Sequence, residues 1–114
     1  MVTPSETCVR RDACVQNGKG LVHIKELTDR AGLLGHGRIF NHIVVDPGCS
    51  IGYHEHHGET EFYYILKGEG SFSDNGRECA VRAGDVCATP DGEGHSLENT
   101  GTEPLEVIAL IVLE

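Results

Sequence analysis

Tryptophan is absent from this 114-residue chain, and so are long stretches in which apolar residues recur with helical spacing. Together with the 15 glycines, these absences favour many short strands joined by tight turns. The length allows one modest hydrophobic core and is too short for two. We therefore expect one domain, with no internal repeat.

The chain is also poor in basic residues, with 9 lysines and arginines against 18 acidic residues and a formal net charge of -9. Binding to a phosphate backbone requires a basic face, so no nucleic-acid partner is expected. Nothing in the sequence resembles a helix-turn-helix. The ordinary consequence of this charge is a well-solvated acidic surface.

No apolar run is long enough to cross a membrane, and the first residues lack the charged-then-apolar order of a signal peptide. These absences predict a cytoplasmic protein with no membrane partner. The five cysteines are odd in number and form no C-x-x-C pair, so a disulfide framework is not expected. Cys79 and Cys87 fall in predicted strands and are expected to be buried thiols. For Cys8 and Cys14, two roles are left open: a second metal site or an intersubunit disulfide.

Two histidines and a glutamate lie within eight residues of one another in the middle of the chain. On an extended strand His54 and His56 share a face, about 6.6 Å apart along the backbone, whereas His57 points the other way. Glu61 lies an odd number of residues from His56, so the chain must turn between them, and Gly58 supplies the turn. This pattern predicts a hairpin that presents two imidazoles and a carboxylate to one divalent metal. Histidines clustered on a strand can also be plain surface residues.

A third histidine, His95, follows a segment rich in turn residues, GDVCATPDGEGHSLEN. The two segments together resemble the two motifs of the cupin family. The first motif, G-x5-H-x-H-x4-E-x6-G, and the second, G-x5-P-x-G-x2-H-x3-N, are matched at every fixed position: Gly48, His54, His56, Glu61 and Gly68, then Gly84, Pro90, Gly92, His95 and Asn99.

The resemblance implies a small single-domain cupin of the oxalate-decarboxylase-like kind. It implies four metal ligands, His54, His56, Glu61 and His95, around a divalent ion. Mn, Fe, Ni, Co and Zn are all compatible with three imidazoles and one carboxylate. Such a set leaves about two positions open on an octahedral ion and keeps a net positive charge, which favours a small anionic substrate or ligand.

The expected fold is all-β, an antiparallel double-stranded β-helix, or jelly-roll barrel, formed by two facing sheets. Residues 1–20 are interpreted as an N-terminal arm or edge segment, and residues 21–114 as the cupin barrel domain. The last strand, Leu105 to Leu113, is too apolar for a one-sided surface strand. It should be buried on both faces, in the barrel or against a second subunit, and a homodimer is expected.

Two residues are candidates for catalysis. Arg38 could bind a substrate carboxylate near the metal, although a surface arginine is the commoner outcome. Tyr63 shares the ligand face and could donate a proton, although a tyrosine in the barrel core is the commoner outcome. In the strand that begins near Arg38, alternation allows either of two sets of side chains to face the barrel interior: Arg38, Phe40 and His42, or Ile39, Asn41 and Ile43.

The resulting hypothesis is a metal-dependent enzyme acting on a small carboxylate or sugar acid, with decarboxylase, dioxygenase or isomerase chemistry. The alternative is a non-catalytic, metal-dependent binding or storage module. The fold and the ligand set do not by themselves decide between them.

Overall fold

The computed structural model describes all 114 residues, and it is built almost entirely of β-strands. A single short 3-10 turn, Ser5–Thr7, precedes them. The ten strands are β1 (Arg10–Ala13), β2 (Val22–Glu26), β3 (Gly37–Val45), β4 (Ser50–Glu55), β5 (Glu59–Lys67), β6 (Glu69–Asp74), β7 (Arg77–Arg82), β8 (Val86–Thr89), β9 (Gly94–Glu98) and β10 (Leu105–Leu113). No helix is long and apolar enough to cross a membrane.

The strands form two antiparallel sheets. One has six strands in the order β1-β2-β3-β10-β5-β8, and the other has four in the order β4-β9-β6-β7. The inward side chains of both sheets form one hydrophobic core, which includes Ile51, Ile65, Leu97 and Val107. This arrangement is the predicted all-β double-stranded β-helix in a single domain.

Alternation along β10 and β5 sets which side chains enter the core. Leu105, Val107, Ala109 and Ile111 of β10 are almost fully buried, and the residues between them are only partly covered. The barrel covers only one face of β10, so the alternative that both faces are buried within the barrel is wrong, and burial of the other face against a second subunit stays a prediction. Along β5 the predicted alternation is confirmed, with Glu61, Tyr63 and Ile65 inside.

The predicted hairpin between the histidine segment and the strand after it is wrong. Strand β4 pairs with β9, and β5 pairs with β10 and β8 in the other sheet. The turn at Gly58, where φ is +74°, carries the chain from one sheet to the other. A second turn, at Asn75 and Gly76, has φ of +52° and +95° and closes the predicted hairpin between β6 and β7.

Strand β1 lies within the first twenty residues and forms one edge of the six-stranded sheet, paired with β2. His23 of β2 helps to hold this edge, because its ring lies 2.8 Å from Asp12 of β1 and 2.7 Å from Asp46 after β3. Hydrogen bonds to Asp46 and then Asp12 raise the pKa of His23 above its ordinary value. The protonated imidazole thus joins the edge strand to the turn that follows β3.

All five cysteines are unpaired. Cys87 is buried, as predicted, and burial raises the pKa of its thiol to about 11. The prediction that Cys79 is buried is wrong. Its side chain is only half-buried, because it lies on β7, the edge strand of the smaller sheet.

Candidate metal centre

Four side chains from both sheets meet at one end of the barrel interior. We call them the His/Glu cluster: His54, His56, Glu61 and His95. One ligand atom from each lies within 4.8 Å of the others. The structure therefore brings together all four residues that the motif resemblance singled out.

Each sheet contributes to the cluster. His54 on β4 lies directly across from His95 on β9, so two imidazoles start from neighbouring strands of the smaller sheet. His56 follows at the start of the crossing turn, and Glu61 lies on the inner face of β5 in the larger sheet. His57 is exposed and faces Glu55, as strand alternation predicts.

The spacing of the ligand atoms fits a single small cation. The Nε2 atom of His95 lies 3.1 Å from that of His56, 3.2 Å from that of His54, and 3.0 Å from Oε1 of Glu61. Neighbouring ligands on an octahedral ion with bonds of about 2.1 Å are about 3.0 Å apart. The residues present therefore fit a divalent ion.

A surrounding set of hydrogen bonds aims each imidazole at the common point. The Nδ1 atom of His54 lies 2.8 Å from the Gly52 carbonyl oxygen. The Nδ1 atom of His56 lies 2.5 Å from Glu59 Oε2, and that of His95 lies 2.7 Å from Thr89 Oγ1. Each of these oxygens can accept the Nδ1 proton, which leaves the Nε2 lone pair free to bind a metal. Three such lone pairs and a carboxylate oxygen form the donor set of a borderline divalent metal.

Arg38 belongs to this outer set. Its guanidinium makes two hydrogen bonds to Glu59, of 2.7 and 2.6 Å, and Glu59 in turn accepts from His56. The hydrogen bonds from Arg38 and then His56 lower the pKa of Glu59 to about 2, so this largely buried carboxylate stays charged. Glu59 and Thr89 were missed in the sequence because nothing local marks an outer partner of a ligand.

Alternation on β3 has a mixed outcome. Asn41 and Ile43 face the interior, yet Arg38 also reaches the cavity beside the cluster. The reason is an irregularity in the pairing of β3 with β10, where Ile39 faces Ile111 and the next paired residue is Gly37. The extra residue at this bulge is Arg38, and a bulge re-aims its side chain.

Tyr63 is buried beneath the cluster, and its ring stacks on that of His95 with centroids 5.0 Å apart. Burial and then the neighbouring Glu61 carboxylate raise the pKa of Tyr63 well above its usual value, so its hydroxyl keeps its proton. Burial lowers the pKa of His54, which keeps this imidazole neutral. Burial raises the pKa of Glu61, but hydrogen bonds from His56 and His95 outweigh it and bring that pKa below its ordinary value.

A cavity of about 180 Å³ opens beside the cluster. Its walls combine aliphatic and polar side chains, and the polar part includes Arg38 and Asn41 from β3. The N-terminal segment forms a further part of the wall through Arg11, Val15 and Gln16, which sequence reasoning missed. Arg11 at the mouth also pairs with Glu26.

The fold and the cluster agree with the comparisons with known proteins. A family profile described as the cupin domain matches residues 41–111, and the chain belongs to the cupin family. An oxalate-binding protein from Thermotoga maritima is 44% identical over 113 residues, which cover 99% of this chain and 93% of that protein.

Solved structures lead to the same family. The crystal structure of a predicted oxalate decarboxylase from Thermotoga maritima has a TM-score of 0.96 at 43% identity, and the match covers 100% of both chains. A putative sugar phosphate isomerase from Acidithiobacillus ferrooxidans has a TM-score of 0.72 at 30% identity, over 82% of this chain and 60% of that one. The small cupin predicted from the two motifs is confirmed.

Proposed function

We propose that this cupin holds a divalent metal ion in the His/Glu cluster and uses it to bind a small carboxylate of the oxalate type. The observation that carries the proposal is the convergence of three imidazole Nε2 atoms and one Glu61 oxygen, 3.0 to 3.2 Å between neighbours. This arrangement provides four ligands and leaves about two positions of an octahedral ion for oxygen atoms of a ligand. Mn, Fe, Ni, Co and Zn all suit this donor set.

Charge supports an anionic ligand even though the chain as a whole is acidic. One carboxylate offsets one of the two charges of a divalent ion, so the cluster with its metal keeps a net positive charge. Arg11 and Arg38 add positive charge along the cavity wall, although both are paired with glutamates. The similarity to an oxalate-binding protein supports the same class of ligand.

Metal analysis and calorimetry test this function directly. Purified protein should contain about one divalent ion per chain, and oxalate should bind to the metal-loaded protein but not after the metal has been removed with a chelator. Equal binding with and without metal would refute the proposed role of the cluster. Failure of the loaded protein to bind any of a panel of small carboxylates would refute the ligand class.

Catalysis is the second candidate, and Tyr63 is the observation that favours it. Its hydroxyl retains its proton, and Tyr63 lines the cavity beside the cluster, so it could serve as a proton donor to a bound carboxylate. We assign Arg38 a positioning role, because its guanidinium is already bonded to Glu59.

Turnover separates the two candidates. Carbon dioxide release and oxygen uptake would be measured over a panel of small acids and sugar acids. If the protein is an enzyme, Tyr63→Phe should abolish turnover and keep ligand binding. Tight binding with no turnover across the panel would leave a binding module.

We also propose that the protein is a homodimer, formed through the outer surface of the larger sheet. This outer apolar face exposes large side chains from β5 and β8 beside the partly covered residues of β10: Phe62, Tyr64, Leu66, Val86, Ile108, Leu110 and Val112. A largely apolar face is where two acidic chains can approach closely. Light scattering should report a dimer, and Tyr64→Glu should give a folded monomer. Ala80→Glu, an exposed strand position on the other sheet, is the control and should remain dimeric.

The cysteines bear on where the protein works. Five unpaired thiols, of which only Cys87 is fully buried, suit a reducing compartment. We therefore propose a cytoplasmic location. Thiol labelling of the protein in intact cells, compared with labelling after reduction, should find the half-buried and exposed thiols reduced.

A further inference from the structure

Asn41 is an unusual residue at its position in the core. It lies on the inner face of β3 between Ile39 and Ile43 and is only 5% exposed. Its side-chain amide makes no hydrogen bond to another protein group, and its polar atoms are open to the cavity beside the His/Glu cluster, because no fully enclosed side-chain nitrogen or oxygen lacks a partner. By contrast Asn99, the other buried asparagine, uses its amide in bonds to the backbone of Val45, Glu103 and Gly101.

An amide that bonds to no protein group contributes no hydrogen bond to the stability of the fold. The two neighbours of Asn41 on the same face show that an aliphatic side chain suits this strand. The asparagine therefore does not serve the packing of the core, and its two donors and one acceptor are available to whatever fills the cavity.

The position of Asn41 in the sheet faces the cluster across open space. Tyr63, Ala109 and Asn41 form one cross-strand row over β5, β10 and β3, and Glu61 begins the neighbouring row. Tyr63 and Asn41, which flank Ala109 in this row, both line the cavity beside the cluster. A ligand held at the cluster can therefore extend toward Asn41 along this row.

The neighbours of Asn41 do not compete for its amide. Glu26 lies beside it on β2, but the Glu26 carboxylate is bonded to Arg11 at the mouth of the cavity. On the other side Ala109 offers only a methyl group. The amide is thus left for a ligand.

We propose that Asn41 determines the specificity of the cavity, by donating a hydrogen bond to a carboxylate oxygen that points away from the cluster. It would favour a small dicarboxylate, whose outer oxygens remain free when one oxygen of each carboxylate is held by the metal. Formate has a single carboxylate and therefore lacks the outer oxygens of a second one. This inference rests on the proposed function, since it requires that the cluster hold a carboxylate.

The test compares oxalate with formate in the parent protein and in Asn41→Leu, which keeps the approximate size of the side chain and removes its polar atoms. Asn41→Leu should keep its metal and bind oxalate about tenfold more weakly, which corresponds to about 1.4 kcal/mol. Its affinity for formate should change less than about twofold. Val44→Leu, an apolar exchange on the opposite face of the same strand, should leave both affinities unchanged.

The melting temperature supplies a second measurement. A structural role for Asn41 predicts that Asn41→Leu lowers it, whereas the proposed role in ligand binding does not. Without metal or ligand, Asn41→Leu should melt no lower than the parent, because the replaced amide makes no hydrogen bond within the protein and leucine is apolar like Ile39 and Ile43 beside it. A lower melting temperature, together with equal losses of affinity for oxalate and formate, would show that Asn41 is structural and would overturn the inference.

The outcomes also separate this inference from the function on which it rests. If the parent binds oxalate only with metal and Asn41→Leu binds it equally well, the role of Asn41 is refuted and the proposed function stands. If the metal-loaded parent binds neither oxalate nor formate, both the proposed function and the role of Asn41 fall.

Discussion

Glu59 offers the sharpest test of how the cluster is held, because it connects His56 to Arg38 without being a metal ligand. The change Glu59→Gln keeps the shape of the side chain but removes its charge and one acceptor oxygen. The bidentate bond from Arg38 and the bond from His56 Nδ1 both depend on that carboxylate. Without them, nothing fixes the tautomer and orientation of His56.

Loss of such an outer partner typically weakens metal binding about 10- to 100-fold, or about 1.4 to 2.7 kcal/mol. At a metal concentration about 1,000 times the parent dissociation constant, bound metal stabilises the parent by about 4.1 kcal/mol. The same concentration would stabilise Glu59→Gln by only about 1.4 to 2.7 kcal/mol. For a domain of this size, the melting temperature with metal should therefore fall about 5 to 15 °C below that of the parent.

The assay combines a chelator-competition titration with thermal melts in the presence and absence of metal. Glu106→Gln is the matched control, because Glu106 also bonds a histidine, His42 at 3.0 Å, and also faces a cation, Lys67. That pair lies on the outer face of the larger sheet, so the control should keep its metal affinity. Parent-like metal affinity in Glu59→Gln would refute the reasoning.

The remaining predictions concern the metal ligands, the edge strand and a buried turn. His56→Ala should lose stoichiometric metal, measured by elemental analysis, and with it the metal-dependent rise in melting temperature. Because the pKa of His23 is raised, its protonated form stabilises the fold below about pH 6.5 and this contribution is lost as the pH rises through the folded-state pKa. The unfolding free energies of the parent and His23→Gln, from urea titrations, should thus differ most below about pH 6.5 and converge once the pH exceeds the folded-state pKa. Asn99→Ala should lower the unfolding free energy by about 2 to 4 kcal/mol in urea, since it leaves buried backbone groups without partners.

Each of these predictions has a result that contradicts it. His57→Ala is the control for His56→Ala, and equal metal content in parent and His56→Ala would overturn the ligand assignment. A gap between parent and His23→Gln that stays constant as the pH rises from below about pH 6.5 to above the folded-state pKa would show that the histidine does not link stability to protonation. A parent-like urea midpoint for Asn99→Ala would mean that water replaces the lost bonds.

The two cupin motifs are local patterns, and for this reason the sequence alone predicted which four residues would meet. Their spacing places His54 and His56 on one face and gives the chain a turn at Gly58. Strand alternation also predicted the inner face of β5, including Glu61 and Tyr63.

Pairing between distant strands explains the errors. A short segment carries no signal for its partner, so the hairpin of β4 with β5 was a reasonable but wrong prediction. The bulge at Arg38 depends on how β3 meets β10 some seventy residues later, and alternation cannot anticipate it. Arg11 and Gln16 were missed because only the closure of the barrel brings the N-terminal segment to the cavity.

The contribution of both sheets to the cluster also has a kinetic consequence. A metal ion bound by imidazoles from one sheet and a carboxylate from the other would link the two sheets. Separation of the two sheets at that end would break some of these bonds, so a bound ion should slow it. Hydrogen exchange of the backbone amides of β4 and β5 should therefore be slower with metal than without it.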